Sequence, residues 1–190
     1  MKRTILSIAL IAFVGTLSAA DPAEKLTKAV KASESKVTWK AYKVAGSHVG
    51  TVTLKSGSLE FEGEQLTGGS FVVDMTTINT TDLEGEYKDQ LDGHLSSGDF
   101  FSTDRHPTAK LVFTKVKASS KNAFDVSGDL TIKGITKPVD FEVSIYGDKA
   151  TATLKVDRTE FDVKYGSGII NTAKDQLIYD EFDLVVDLQM

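Results

Sequence analysis

The sequence predicts an all-β protein, an eight-stranded antiparallel barrel with one helix between strands, on three observations. Apolar and polar residues alternate with a period of two through about eight segments, the pattern of strands that bury one face. Short turn-forming clusters fall between segments, so neighbours in sequence become neighbours in space. One stretch, Thr80 to Phe101, changes period, with Leu83, Tyr87 and Leu91 four residues apart on one helical face. Closure of the sheet is favoured because it removes the unpaired edges a long open sheet would present. A two-sheet sandwich is the competing architecture.

The elements follow in order. Val37, Trp39 and Ala41 share one face of the first strand, while Thr38, Lys40 and Tyr42 take the other. Val52 with Leu54 marks the second strand, and Phe71, Val73 and Met75 mark the third. The helix comes next, about three turns long, with Thr81 or Asp82 as N-cap and Glu84 and Glu86 in its first turn. Ala109, Leu111 and Phe113 continue the inward pattern, followed by Phe124, Val126, Leu130 and Ile132. Val139, Phe141, Val143 and Ile145 form the sixth strand, Ala152, Leu154 and Val156 the seventh, and Phe182, Leu184, Val186 and Leu188 the last. Turns are expected at Lys55 to Ser58, Gly68-Gly69, Lys121-Asn122, Lys133-Gly134 and Gly147-Asp148.

Residues 1–20 carry Lys2 and Arg3, a nearly unbroken apolar run of 11 residues from Ile5 to Gly15, and small residues ending at Ala20. This is the layout of a cleavable signal peptide, and the run is too short for a hydrocarbon core that needs about 20 residues. Residues 21–35 read as a polar lead-in, and 36–190 as the barrel domain. The chain has 22 basic against 27 acidic residues; cleavage after Ala20 leaves 20 against 27, a charge of −7. An acidic surface disfavours nucleic acid as a partner. With no cysteine, thiol chemistry, zinc knuckles and a lipoprotein anchor are excluded. Export without disulfides suits a bacterial periplasm, with the hydrophobic core supplying stability and no stable membrane insertion.

Four segments are more specific than alternation requires. GGSFVVDMTTINTTDL runs from Gly68 to Leu83, HLSSGDFFSTDRHPTAKLVF from His94 to Phe113, GDLTIKGITKPVDFEV from Gly128 to Val143, and VDRTEFDVKYGSG from Val156 to Gly168. Together they resemble the YceI-like family of periplasmic polyisoprenoid-binding proteins across nearly the whole mature chain. Two departures stand out. The family's His-Leu-Gly after the first strand is replaced by Tyr42-Lys43-Val44-Ala45-Gly46, and Gly50 to Phe61 lacks the usual arginine-glycine. The resemblance implies a lipocalin-like barrel holding a long isoprenoid, quinone or other lipid chain in its interior, and leaves a homodimer open.

The ligand-binding candidates are the inward residues Trp39, Phe71, Met75, Leu111, Phe113, Phe124, Phe141, Val143, Leu154 and Phe182, with Phe100 and Phe101 at a lid or mouth. Taken singly, each residue reads more readily as packed core, which would make the protein a filled periplasmic interaction barrel without cargo; the family resemblance is what turns the set towards a tunnel. Arg105, His106 and Arg158 are the head-group candidates, although an ion pair of Asp157 with Arg158 that fixes the Phe161 turn is the preferred reading of that pair. Burying one CH2 is worth about 0.8 kcal/mol, while association costs about 4 to 15 kcal/mol. A chain of about twenty buried carbons therefore offsets that cost, and a small apolar metabolite does not. No metal spacing, nucleophile elbow or phosphate loop appears among the three histidines and the glycines. Neither an enzyme nor a cofactor is expected. N-terminal sequencing of the exported protein should start at Asp21; a mature chain that keeps Met1 would overturn the signal-peptide assignment.

Overall fold

The computed structural model describes residues 24–168 and 177–190. The expected signal peptide and residues 21–23 lie outside the described residues. Among the described residues nine strands form one antiparallel sheet: β1 (Lys25–Ala29), β2 (Lys36–Lys43), β3 (Gly46–Glu62), β4 (Gln65–Thr80), β5 (Thr108–Ala118), β6 (Ala123–Ile132), β7 (Ile135–Tyr146), β8 (Lys149–Asp157) and β9 (Ile178–Gln189). Strands β2 to β9 pair in a ring that the β2–β9 ladder closes, so the fold is an eight-stranded barrel and not a sandwich. One helix, α1 (Gly85–Ser96), connects β4 to β5.

The ninth strand, β1, lies within the polar lead-in, outside the eight that close the barrel. At 17 residues β3 is too long for β2 to cover, so β2 pairs with its first half and β1 with its second, Leu26 opposite Phe61. Four of the five β1 residues are exposed, which is why its sequence carries no apolar alternation. A 3-10 turn at Ala32–Glu34 carries the chain between them, and Ser35 Oγ accepts from the Gln189 N–H to tie it to the end of β9.

Two expected turns are corrected. Lys55 to Ser58 lies inside β3, at a register shift against β4, and Gly68-Gly69 lies inside β4. The actual β3–β4 turn is at Gly63-Glu64, where Gly63 takes a φ of 60°. The strand glycines serve a packing purpose. A Cβ on Gly57 would strike the ring of Phe71, its cross-strand partner, and a Cβ on Gly69 would lie 2.9 Å from Phe113 Cε2. Likewise Gly50, paired with Trp39, would drive a Cβ into both the indole and the Asn79 carbonyl. Each aromatic ring therefore covers a point of the barrel wall where the neighbouring strand has no side chain. The remaining turns fall as expected, with Lys133 and Gly134 at φ of 51° and 75°.

The helix begins later than its sequence suggests. Thr81 and Asp82 do not cap it: the Thr81 hydroxyl donates to the Val49 carbonyl, and Asp82 accepts from the Val49 N–H and faces His48 Nδ1 at 3.1 Å. Glu84 occupies the cap position, and Leu95 is the residue α1 buries, with Leu91 half-buried beside it and Tyr87 turned to solvent. Asp92 docks the helix by accepting from the Thr80 N–H and from Lys88. Burial alone would raise the Asp92 carboxyl, but these hydrogen bonds outweigh it and hold the group low.

After β8 the chain is held by Arg158, which is 4% exposed. Its guanidinium donates to the carbonyls of Val163 at 2.7 Å, Tyr165 at 2.9 Å, Ile178 at 3.0 Å and Tyr179 at 3.1 Å. Asp157, expected as its ion-pair partner, instead accepts from the Thr159 N–H and hydroxyl, while Asp180 lies 3.6 Å from the guanidinium. Burial pushes the Arg158 pKa down, and the charges of Asp180 and Asp157 oppose that shift.

Two stability predictions follow from these contacts. Arg158→Met should lower the unfolding free energy in urea by about 3 to 5 kcal/mol, because four carbonyls lose their donor; wild-type stability would refute the clamp. Gly50→Ala should cost about 1 to 3 kcal/mol by overpacking, whereas Gly93→Ala on α1, where a Cβ meets nothing, should be neutral or stabilising. Equal effects would contradict the aromatic seats.

Candidate functional site

Alternation on eight strands delivers one apolar surface to the barrel axis, and the rings do not fill it. A cavity of about 170 Å³ runs inside the barrel, lined by Trp39, Phe71, Met75, Leu111, Phe113, Phe141, Val143, Leu154 and Phe182, with Phe100 and Phe101 at the helix end. On β9 the lining extends from Ile178 to Leu188. At about 3.3 Å per residue and a strand tilt of about 40°, that is about 25 Å along the axis. The void is long and narrow.

Several inward residues are only half-buried, among them Phe101, Leu111, Phe113, Phe141, Leu184 and Val186. Side chains that point into a barrel yet keep accessible surface border empty space. Phe71, Phe113 and Phe141 form a chain of tilted and edge-on contacts, each pair of centroids 5.6 Å apart. Phe124 departs from the expected lining set: it is 3% exposed in the core but does not reach the cavity. It lies near the β5–β6 turn, at the end opposite the helix, where Val30, Phe61, Leu66 and Met190 are also buried.

At the helix end, Trp39, Leu95, Phe100 and Val163 form a second buried cluster. His94 stands edge-on to both Phe100 and Tyr165, with centroids 4.8 Å and 4.5 Å apart. The segment between α1 and β5 is organised around Ser102. Its N–H donates to the Ser97 carbonyl, its carbonyl accepts from the Arg105 and His106 N–H groups, and its hydroxyl accepts from Arg105 Nε. The sequence singled out this segment as His94 to Phe113, but not Ser102 as its centre.

The three head-group candidates separate. Arg105 is exposed and turned onto Ser102, and the His106 ring sits beside Gly134; neither lines the cavity. Arg158 does line it, but its N–H groups are engaged by the carbonyls described above. Sequence reasoning missed a buried polar atom carried by one of the lining residues. The Trp39 indole Nε1 is buried with no hydrogen-bond partner, and so is the Thr80 hydroxyl nearby. Among the described residues no group of three or more potential ligands is placed to hold a metal ion, and no helix is long and apolar enough to cross a membrane.

Comparison with known proteins agrees with this architecture. The model of the YceI-like domain matches residues 29–190. A UPF0312 protein of Pseudomonas putida strain W619 is 30% identical over 150 residues, covering 78% of this chain and 75% of that protein. A UPF0312 protein of Pseudomonas aeruginosa strain LESB58 is 35% identical over 104 residues, 48% of this chain and 52% of that protein. Among solved structures, Burkholderia cenocepacia BcnA superposes with a TM-score of 0.67 at 21% identity, over 84% of this chain and 98% of its own. The Campylobacter jejuni YCEI protein does so with a TM-score of 0.55 at 17% identity, over 100% and 98%. At these identities the solved structures speak to the fold, whereas the domain match spans every strand of the barrel: the chain belongs to the YceI-like family.

Proposed function

We propose that the chain binds a long apolar molecule of polyisoprenoid, quinone or related lipid type inside the barrel and carries or stores it in the periplasm, without catalysing a reaction. The observation that carries this reading is the continuous apolar cavity along the barrel axis. Its length of about 25 Å suits an extended chain better than a compact metabolite. Its lining offers little else to recognise, so affinity has to come from methylene burial at about 0.8 kcal/mol each.

The present volume sets a requirement. A cavity of about 150 Å³ lined by apolar side chains takes up one benzene, so 170 Å³ accepts on the order of six to eight carbons. Longer cargo must widen the tunnel. Met75 is unbranched and readily changes rotamer, while Phe101, Phe113 and Phe141 are half-buried and have space beside them. The same small volume favours a second reading, a packed barrel whose exterior meets another periplasmic protein.

Native mass spectrometry of protein purified from the periplasm, followed by organic extraction, separates the two. A co-purifying long-chain isoprenoid, quinone or acyl lipid is expected. An empty protein that also takes up no added lipid would favour the packed barrel. Phe113→Asp should reduce lipid uptake at least tenfold in a folded variant, since a carboxylate in the lining must be desolvated; undiminished uptake would remove Phe113 from the binding surface.

A further inference from the structure

The ring of strands is closed, but not evenly. Strands β4 and β5 share five rungs, residues 70–74 against 108–112, and β7 and β8 share five, residues 142–146 against 149–153. Every other ladder of the ring has seven or more. The two short ladders divide the barrel into a three-stranded sheet, β5–β6–β7, and a five-stranded sheet, β8–β9–β2–β3–β4.

The short ladders also lie at opposite ends. That of β7 and β8 adjoins their turn, away from α1, and toward α1 residues 135–141 have no rung with β8 among the described residues. Pro138 falls in this stretch, and proline, with no N–H to give a ladder, is kept to edges within sheets. The β4–β5 ladder starts at the helix end, and away from α1 residues 113–118 have no rung with β4. Parting strands within either sheet would leave backbone N–H and C=O groups without partners. Along these two stretches no such bond has to break.

The lining divides along the same seams. On β3 and β4, Val52, Leu54, Leu59, Phe71 and Met75 are buried. On the three-stranded sheet, Leu111, Phe113 and Phe141 are only half-buried, as are Leu184 and Val186 on β9, opposite β5 in the ring. Empty space therefore borders the sheet that is least tied to its neighbours.

We propose that the tunnel widens for a long chain by outward movement of β5–β6–β7 as one sheet, hinged on its two five-rung ladders. This inference rests on the lipid-binding reading above and adds how the site admits its cargo: a small cavity at rest, and a full-length tunnel with the sheet displaced.

The chain has no cysteine, so paired nitroxide labels go only where a cysteine is introduced, and pulsed electron resonance reads the distance between them. Asp129→Cys on β6 with Lys40→Cys on β2 places labels on exposed residues across the ring, one on each sheet. Ser70→Cys on β4 with Val185→Cys on β9 places both on the five-stranded sheet as a control. Each variant is checked for cooperative unfolding, and binding of hexane and of octadecene is read separately by calorimetry. Octadecene should lengthen the distance between the labels on β6 and β2 by about 2 to 4 Å, up to the thickness of one hydrocarbon chain, and leave the control pair in place. Hexane, which the resting cavity of about 170 Å³ accepts, should move neither. Bound octadecene with both distances unchanged would overturn the inference while leaving lipid binding intact. An equal lengthening of the control pair, or a shift with hexane as large as with octadecene, would overturn it too, since the barrel would then swell evenly or respond without need of room. If octadecene does not bind, the lipid-binding reading fails and takes this inference with it.

Discussion

Trp39, Phe71 and Phe113 each occupy space that exists because a neighbouring strand lacks a Cβ, at Gly50, Gly57 and Gly69. The rest of the interior depends on that arrangement. Eight strands make a barrel in which large side chains ordinarily meet at the centre and fill it. Set over glycine backbone, the rings instead pack against the wall and leave a narrow axis between them. The same pairs tie β2 to β3, β3 to β4 and β4 to β5, around the part of the sheet where β3 and β4, the longest strands, shift register. Wall packing and an open axis thus share one cause.

The two ends of the barrel are treated differently. Opposite the helix, β1, the chain terminus and the β3–β4 turn bring Val30, Phe61, Leu66 and Met190 into the core and behind the cavity. At the helix end, α1 and the Ser102-centred segment lie across the barrel, and Arg158 binds the end of β8 to the start of β9. Burying a guanidinium is expensive unless its donors are satisfied. Here they are satisfied by main-chain carbonyls, so the cation works as a structural rivet and contributes little attraction to an incoming anion. Acidic residues nearby reinforce that bias.

Much of this was legible in the sequence, and the failures share physical reasons. Alternation found the inward face of all eight barrel strands, since residues such as Leu154 and Phe182 must repeat every second position to be buried. Glycine was ambiguous. Gly134 and Gly147 sit in turns, whereas Gly57 and Gly69 sit in strands under aromatic rings, and a single sequence gives no sign of which neighbour will lie across them. Strand β1 was illegible because Lys25, Thr27 and Lys28 form a mostly exposed strand whose place is set by the uncovered half of β3. Tyr87 shares helical spacing with Leu91 but lies one turn too early to reach the barrel. The pairing of Arg158 with four carbonyls and the unpaired state of the Trp39 indole depend on tertiary placement alone. The site was visible as a list of apolar residues, but its polarity was not.

The central claim is that the axis is a tunnel able to widen and not a fixed void. Calorimetric titration with a series of neutral alkyl chains of increasing length tests it most directly. A tunnel that opens along its length predicts affinity rising about fourfold with each added methylene, continuing past the six to eight carbons or so that the present cavity accepts. Affinity that levels off once those carbons are housed would contradict the account and describe a packed barrel with a small internal hole.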